Sequence, residues 1–189
     1  MIIKYLKYSL LFVLSALALA ADQAAADALI AQSREAMAAQ DHKQALELAR
    51  QATVAAPDYA KAFSHLGTAY ALRIGEVNFM NQAMMSGQML GAYEKSVELD
   101  RNHISGYIGL ARYYSNAPAI AGGSLDKAES YAREVAQRID WLGANELALI
   151  AEKRGEKAAA AALFRQSLAG NPNLGEAQAG LARVTAETE

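Results

Sequence analysis

The stretch Ala60-Lys-Ala-Phe-Ser-His-Leu-Gly-Thr-Ala-Tyr70 decides how the chain is read. Phe63, Leu66, Gly67 and Tyr70 recur at three- and four-residue steps, which puts all four on one flank of a helix. Gly67 has no side chain, so a second helix can pack close at that point. Phe63 and Tyr70 then fill the space above and below the contact. Helices that meet through such a notch belong in pairs, and the rest of the chain is best read by asking where the pairing recurs.

Composition agrees with helices. The 189 residues are rich in alanine, hold 3 prolines and have few β-branched runs. Hydrophobic residues at 53% against 20% charged exclude wholesale disorder. Lys4 and Lys7 precede an apolar run over 9–19, and Ala18-Leu19-Ala20 has the small-x-small form of a cleavage site. Residues 1–20 therefore read as a secretory signal peptide, the run being short for a transmembrane helix. Its removal takes away two lysines and no acidic residue, moving the formal charge from −2 to −4. That balance gives no electrostatic case for nucleic acid or anionic lipid. Without cysteine there is neither a disulfide nor a lipid-modified N-terminus. The expectation is a soluble periplasmic protein with no stable membrane insertion.

The spacing of Phe63, Leu66, Gly67 and Tyr70 resembles the first helix of a tetratricopeptide repeat (TPR), and similar intervals recur along the chain. The resemblance implies an all-α, right-handed solenoid of about four helix pairs with a capping helix, a single domain over 21–189. The first pair lies near 26–59. Ala26, Leu29, Ile30, Ser33 and Met37 form one stripe, Asp41 is the N-cap for a helix over 42–54 with Ala45, Leu46, Ala49 and Ala52 inward, and Pro57 closes it. The second pair, near 60–103, departs from the pattern. Tyr93, Ser96, Val97, Leu99 and Asp100 come about ten residues late, which implies an insertion within 71–90. Arg101 replaces the usual proline, and Met89 and Ser96 stand where alanines are normal.

The third pair, near 104–140, opens with Tyr107-x-x-Leu110-Ala111-x-x-Tyr114. A loop follows over 115–124 with Pro118 and Gly122-Gly123, and Ser124 as cap of the next helix. This loop is similar to one in exported bacterial TPR proteins of unassigned function. The fourth pair, near 141–174, carries Leu147, Ala148 and Ala151, the turn residue Gly155, then Ala160, Phe164 and Pro172. A capping helix over 175–188 turns Ala177, Leu181 and Val184 inward and leaves Glu176, Arg183 and Glu187 for water.

Chemistry-bearing motifs are missing. His42, His65 and His103 lack ligand spacing, and there is no nucleophile elbow, phosphate loop or catalytic cysteine. No enzyme activity, cofactor or metal site is expected. Met80, Met84, Met85 and Met89 supply thioethers that suit Cu(I), which makes a small-ligand or copper carrier the alternative reading. On one helix, however, these four point to two sides.

In a TPR stack the first helices line the concave surface. The resemblance therefore implies partner-binding positions at Arg34, Lys61, Ser64 and Thr68, then Ile108, Arg112 and Asn116, then Asn145, Leu149 and Glu152. The two irregular connections suggest a further patch of Arg73, Glu76, Asn78 and Phe79 with Asn116, Pro118 and Gly122. The implied function is a non-catalytic scaffold or adaptor that holds a peptide or helix of another envelope protein.

Overall fold

The computed structural model describes residues 2–186, with side chains from residue 19 onward; the side chains of most of the expected signal peptide, and Glu187, lie outside the described residues. Nine α-helices and two short 3-10 turns make up the described residues, without strands. The chain divides at Asp100 and Arg101 into two compact units.

The first unit holds α1 (Ile2–Ala38), α2 (His42–Ala55), α3 (Ala60–Arg73) and α4 (Phe79–Leu99). Helix α1 packs on α2, α2 on α3, and α3 on α4. Ala26, Ile30 and Ser33 are buried on α1, and Ala45, Leu46, Ala49 and Ala52 on α2, the faces the apolar spacing predicts. Asp41 caps α2, its carboxylate accepting the Gln44 N–H at 2.9 Å. Before it, Gln40 takes a positive φ of 60° so that the Asp41 N–H reaches the Ala36 carbonyl at 2.9 Å, closing α1 with a left-handed turn.

The second unit holds α5 (Ile104–Asn116), α6 (Leu125–Ala136), α7 (Asp140–Lys153), α8 (Lys157–Gly170) and the terminal α9 (Gly175–Ala186). Phe164, fully buried, is surrounded by Ala148, Ala151, Ala160, Ala161, Ala177 and Val184. Small residues let α7, α8 and α9 approach closely around one ring, and α9 hides that cluster from water. On α5 and α6, Tyr114 stacks on Tyr131 at 5.7 Å between centroids, and Lys127 and Arg138 sit over Tyr114 and Tyr107.

The insertion expected within 71–90 takes a different form from a loop. A 3-10 turn, Ile74–Glu76, joins α3 to α4, and the extra residues lengthen α4 to 21 residues against 12–14 in its counterparts. Residues 79–91 contain no proline, and Asn78 caps the helix by accepting the Asn81 N–H at 3.0 Å, so nothing breaks the helix there. The second connection does form a loop. Gly122 has φ 86°, and a Cβ on Gly123 would lie 1.8 Å from the Ala117 carbonyl oxygen, so both positions require glycine.

Gly67 behaves as its spacing implies. A Cβ there would meet the Tyr93 ring of α4 at 2.5 Å, in a contact already closed to water. Gly67→Ala gains about 1 kcal/mol of helix propensity and loses about 1–3 kcal/mol to overpacking. Thermal melts followed by circular dichroism should show a net loss in the wild-type background and no loss in a Tyr93→Ala background.

Candidate functional site

In the second unit α5, α7 and α9 enclose a groove of about 480 Å³. Its floor is apolar, from Ala111, Leu149 and Ile150; its walls are Arg112, Ser115, Asn116, Glu146, Glu152, Lys153, Glu176 and Arg183. These side chains meet because successive first helices present the same face, and opposite charges on neighbouring helices pair across it.

Arg112 is central. Its guanidinium grips Glu146 through two bonds, Nε to Oε2 at 3.0 Å and Nη2 to Oε1 at 2.7 Å. The same Nη2 reaches Glu176 on α9 at 2.6 Å. Glu146 is 2% exposed, and such a carboxylate needs this forked contact to persist in the interior. The bond to Glu146 raises the Arg112 pKa above its ordinary value. Asn145, fully buried, donates to Glu176 at 2.8 Å and holds that carboxylate against the groove.

Across the groove Arg183 pairs with Glu152 through two bonds of 2.9 Å, which lowers the Glu152 pKa. Lys153 donates to the Ser115 carbonyl at 2.8 Å and to Asn116 Oδ1 at 2.6 Å, both neutral oxygens; burial lowers its pKa. The groove therefore offers charges of both signs over an apolar floor, tied to one another and, Glu146 apart, partly open to water.

Of the positions implied by the repeat pattern, the structure brings Arg112, Asn116, Leu149 and Glu152 together in this groove. Asn145 is a correction: fully buried, it cannot touch a partner, and it acts by positioning Glu176. Ile108 is half-buried and lines no part of the groove. Glu176 and Arg183 are exposed, as their spacing implies, and in addition pair with Arg112 on α5 and Glu152 on α7. Glu146 was missed. Its signal was an acidic residue inside the apolar run 143–151, a place that demands a cation from a neighbouring element.

The first unit carries the equivalent face on α1 and α3. Asp27 accepts from Lys61 at 2.8 Å and from the Tyr59 hydroxyl at 3.1 Å, and the Lys61 bond lowers its pKa. Arg34 and Thr68 are exposed. Ser64 is buried and donates to the Lys61 carbonyl at 3.1 Å, so it too is withdrawn from the partner-facing set. Arg73 pairs with Glu76, which also contacts His42, and Phe79 stands open at 82% exposure. Pro118 and Gly122 belong to the second unit's loop, where Tyr113 donates to the Ala121 carbonyl at 2.9 Å. The methionines divide: Met85 and Met89 pack on the core with Leu46 and Leu66, while Met80 and Met84 are exposed. The four thioethers therefore face two sides of α4, as their spacing implies.

The fold is that of a TPR solenoid. A thermophilic TPR protein of Thermus thermophilus superposes with a TM-score of 0.75 at 18% identity, over 85% of this chain and 81% of that one. PilF of Pseudomonas aeruginosa superposes with a TM-score of 0.67 at 17% identity, over 89% and 71%. No protein-family profile and no curated protein sequence matches the chain.

Arg112→Ala leaves Glu146 buried without its cation and should cost about 2–3 kcal/mol, less than a fully enclosed pair because one edge of the guanidinium meets water. Arg112→Met with Glu146→Met should recover most of that loss in denaturant melts. A second test concerns His65. Its Nε2 lies 2.8 Å from Ser33 Oγ, whose own proton goes to the Ala45 carbonyl at 2.8 Å, so the neutral ring donates from Nε2. Burial, with the charges of Arg34 and Lys61, pushes the His65 pKa down to about 4. Between about pH 6.5 and 4 the unfolded chain takes up a proton that the folded ring refuses, so stability falls on acidification by at most on the order of 3 kcal/mol. An NMR titration should find this ring neutral at pH 5.5, and His65→Gln should flatten the stability profile over that window.

Proposed function

We propose that the chain is a non-catalytic scaffold or adaptor of the bacterial periplasm or cell envelope. In this reading the groove between α5, α7 and α9 holds a peptide or helical segment of another envelope protein. The observation that carries it is the groove itself: an apolar floor of Leu149 and Ile150 between half-open charged pairs. Such a surface has apolar area for affinity and fixed charges for register. The TPR fold supports it, since stacked helix pairs expose long grooves suited to segments of other proteins. The leader-like residues 1–20 support the compartment.

A photoreactive residue at Leu149 should crosslink to a discrete envelope protein in cells. The same residue at Val54, 81% exposed on α2, should not. Equal labelling from both positions would remove the groove as the docking site. The same preparation tests export, for the intact mass of the fractionated protein should begin at Ala21; a cytosolic, full-length chain would reject the compartment without touching the groove.

A further inference from the structure

Only one side of the lengthened N-terminal part of α4 packs on the core of its unit. Met85 and Met89 point inward, but the opposite side carries Phe79 at 82% exposure, Met80 at 81% and Met84 at 55%. Ala83, Gly87 and Gly91 are exposed on the same side, and a Cβ built at either glycine meets no atom within 4 Å. Residues 77–93 contain no charge. At 100° per residue Phe79, Met80, Ala83, Met84, Gly87 and Gly91 lie within one half of the helix. Three large apolar side chains held in water on an ordered helix mark a contact surface.

From this we infer that α4 is a homotypic contact surface, occupied by the α4 of a second copy of this chain in an antiparallel, twofold arrangement. The face is complementary to itself. Its N-terminal half carries the projections, Phe79 and Met80, and its C-terminal half the hollows, Gly87 and Gly91. Reversing a second copy places projections against hollows twice, as a twofold contact requires. Residues 77–93 are uncharged, so no like charges meet within that segment. A lipid surface fits less well, since an interfacial helix draws on Lys or Arg and the segment has neither. The apolar face is about 20 Å long. Two such faces crossing bury on the order of 800–1,000 Å² in total, which belongs to the reversible class of interface. Methionine suits that use, being able to repack against a moving partner.

Sedimentation of the mature chain from micromolar to near-millimolar concentration should show a monomer–dimer equilibrium. Met80→Lys with Met84→Lys should abolish it with an unchanged helical melt, since both positions are exposed. The chain has no cysteine, so single cysteines report proximity without background. Ala83→Cys, close to the twofold axis, should form a disulfide-linked dimer under mild oxidation at least tenfold faster than Val54→Cys. A monomer at every concentration, a dimer that survives the double lysine variant, or crosslinking no faster than at Val54 would each overturn the inference. The outcome is independent of the groove, whose residues lie in the second unit.

Discussion

Close approach between helices is the constraint on which this structure depends. A pair of helices whose contact positions are alanine and glycine can bring their backbones near enough that one aromatic ring fills the remaining gap. Tyr93 against Gly67 does this in the first unit, and Phe164 among six small or branched residues does it in the second. Dispersion contacts are dense in such an arrangement, and the side-chain entropy lost is small because alanine has none to lose. The same property explains why the buried surface consists so largely of alanine.

Packing by small residues leaves little room for polar atoms inside, and those that enter are handled individually. His65 is kept neutral and satisfied by Ser33, which in turn is satisfied by Ala45. Glu146 stays charged and is answered by Arg112 from the preceding helix pair. The two cases differ in what stands nearby. Around His65 the charges are cationic and repel a proton, whereas the Glu146 carboxylate has a guanidinium within bonding distance. The groove thus begins in the core: its central cation is anchored by a buried carboxylate, and Asn145 and Glu176 extend that anchor to the terminal helix.

Two features fall outside this pattern of packing. The extension of α4 leaves Phe79, Met80 and Met84 in water on the side away from the core, and the loop after α5 holds Ile120 at 99% exposure. Both interrupt the repeat pattern, and both were legible as irregularities of spacing. What they build was not legible in the same way. The additional residues include no proline and continue a helix, so the interval that implied an insertion produced a longer α4. Across 115–124 the proline and paired glycines do break the helix, and a loop results.

The sequence by itself determined the fold class, because three- and four-residue spacing, small residues at contact points and capping residues are local properties of one helix or one turn. It also marked Arg112, Asn116, Leu149 and Glu152, since position within a repeat specifies which side of a first helix a residue occupies. Only the tertiary structure decided what those residues meet. That Glu176 and Arg183 fold back from α9, that Asn145 and Ser64 are sealed beneath the surface, and that Glu146 anchors a charge network all depend on distances between helices far apart in the chain. Periodicity gives the direction in which a side chain leaves its helix. The depth and partner it finds there belong to the neighbouring helix, whose approach is a property of the packed whole.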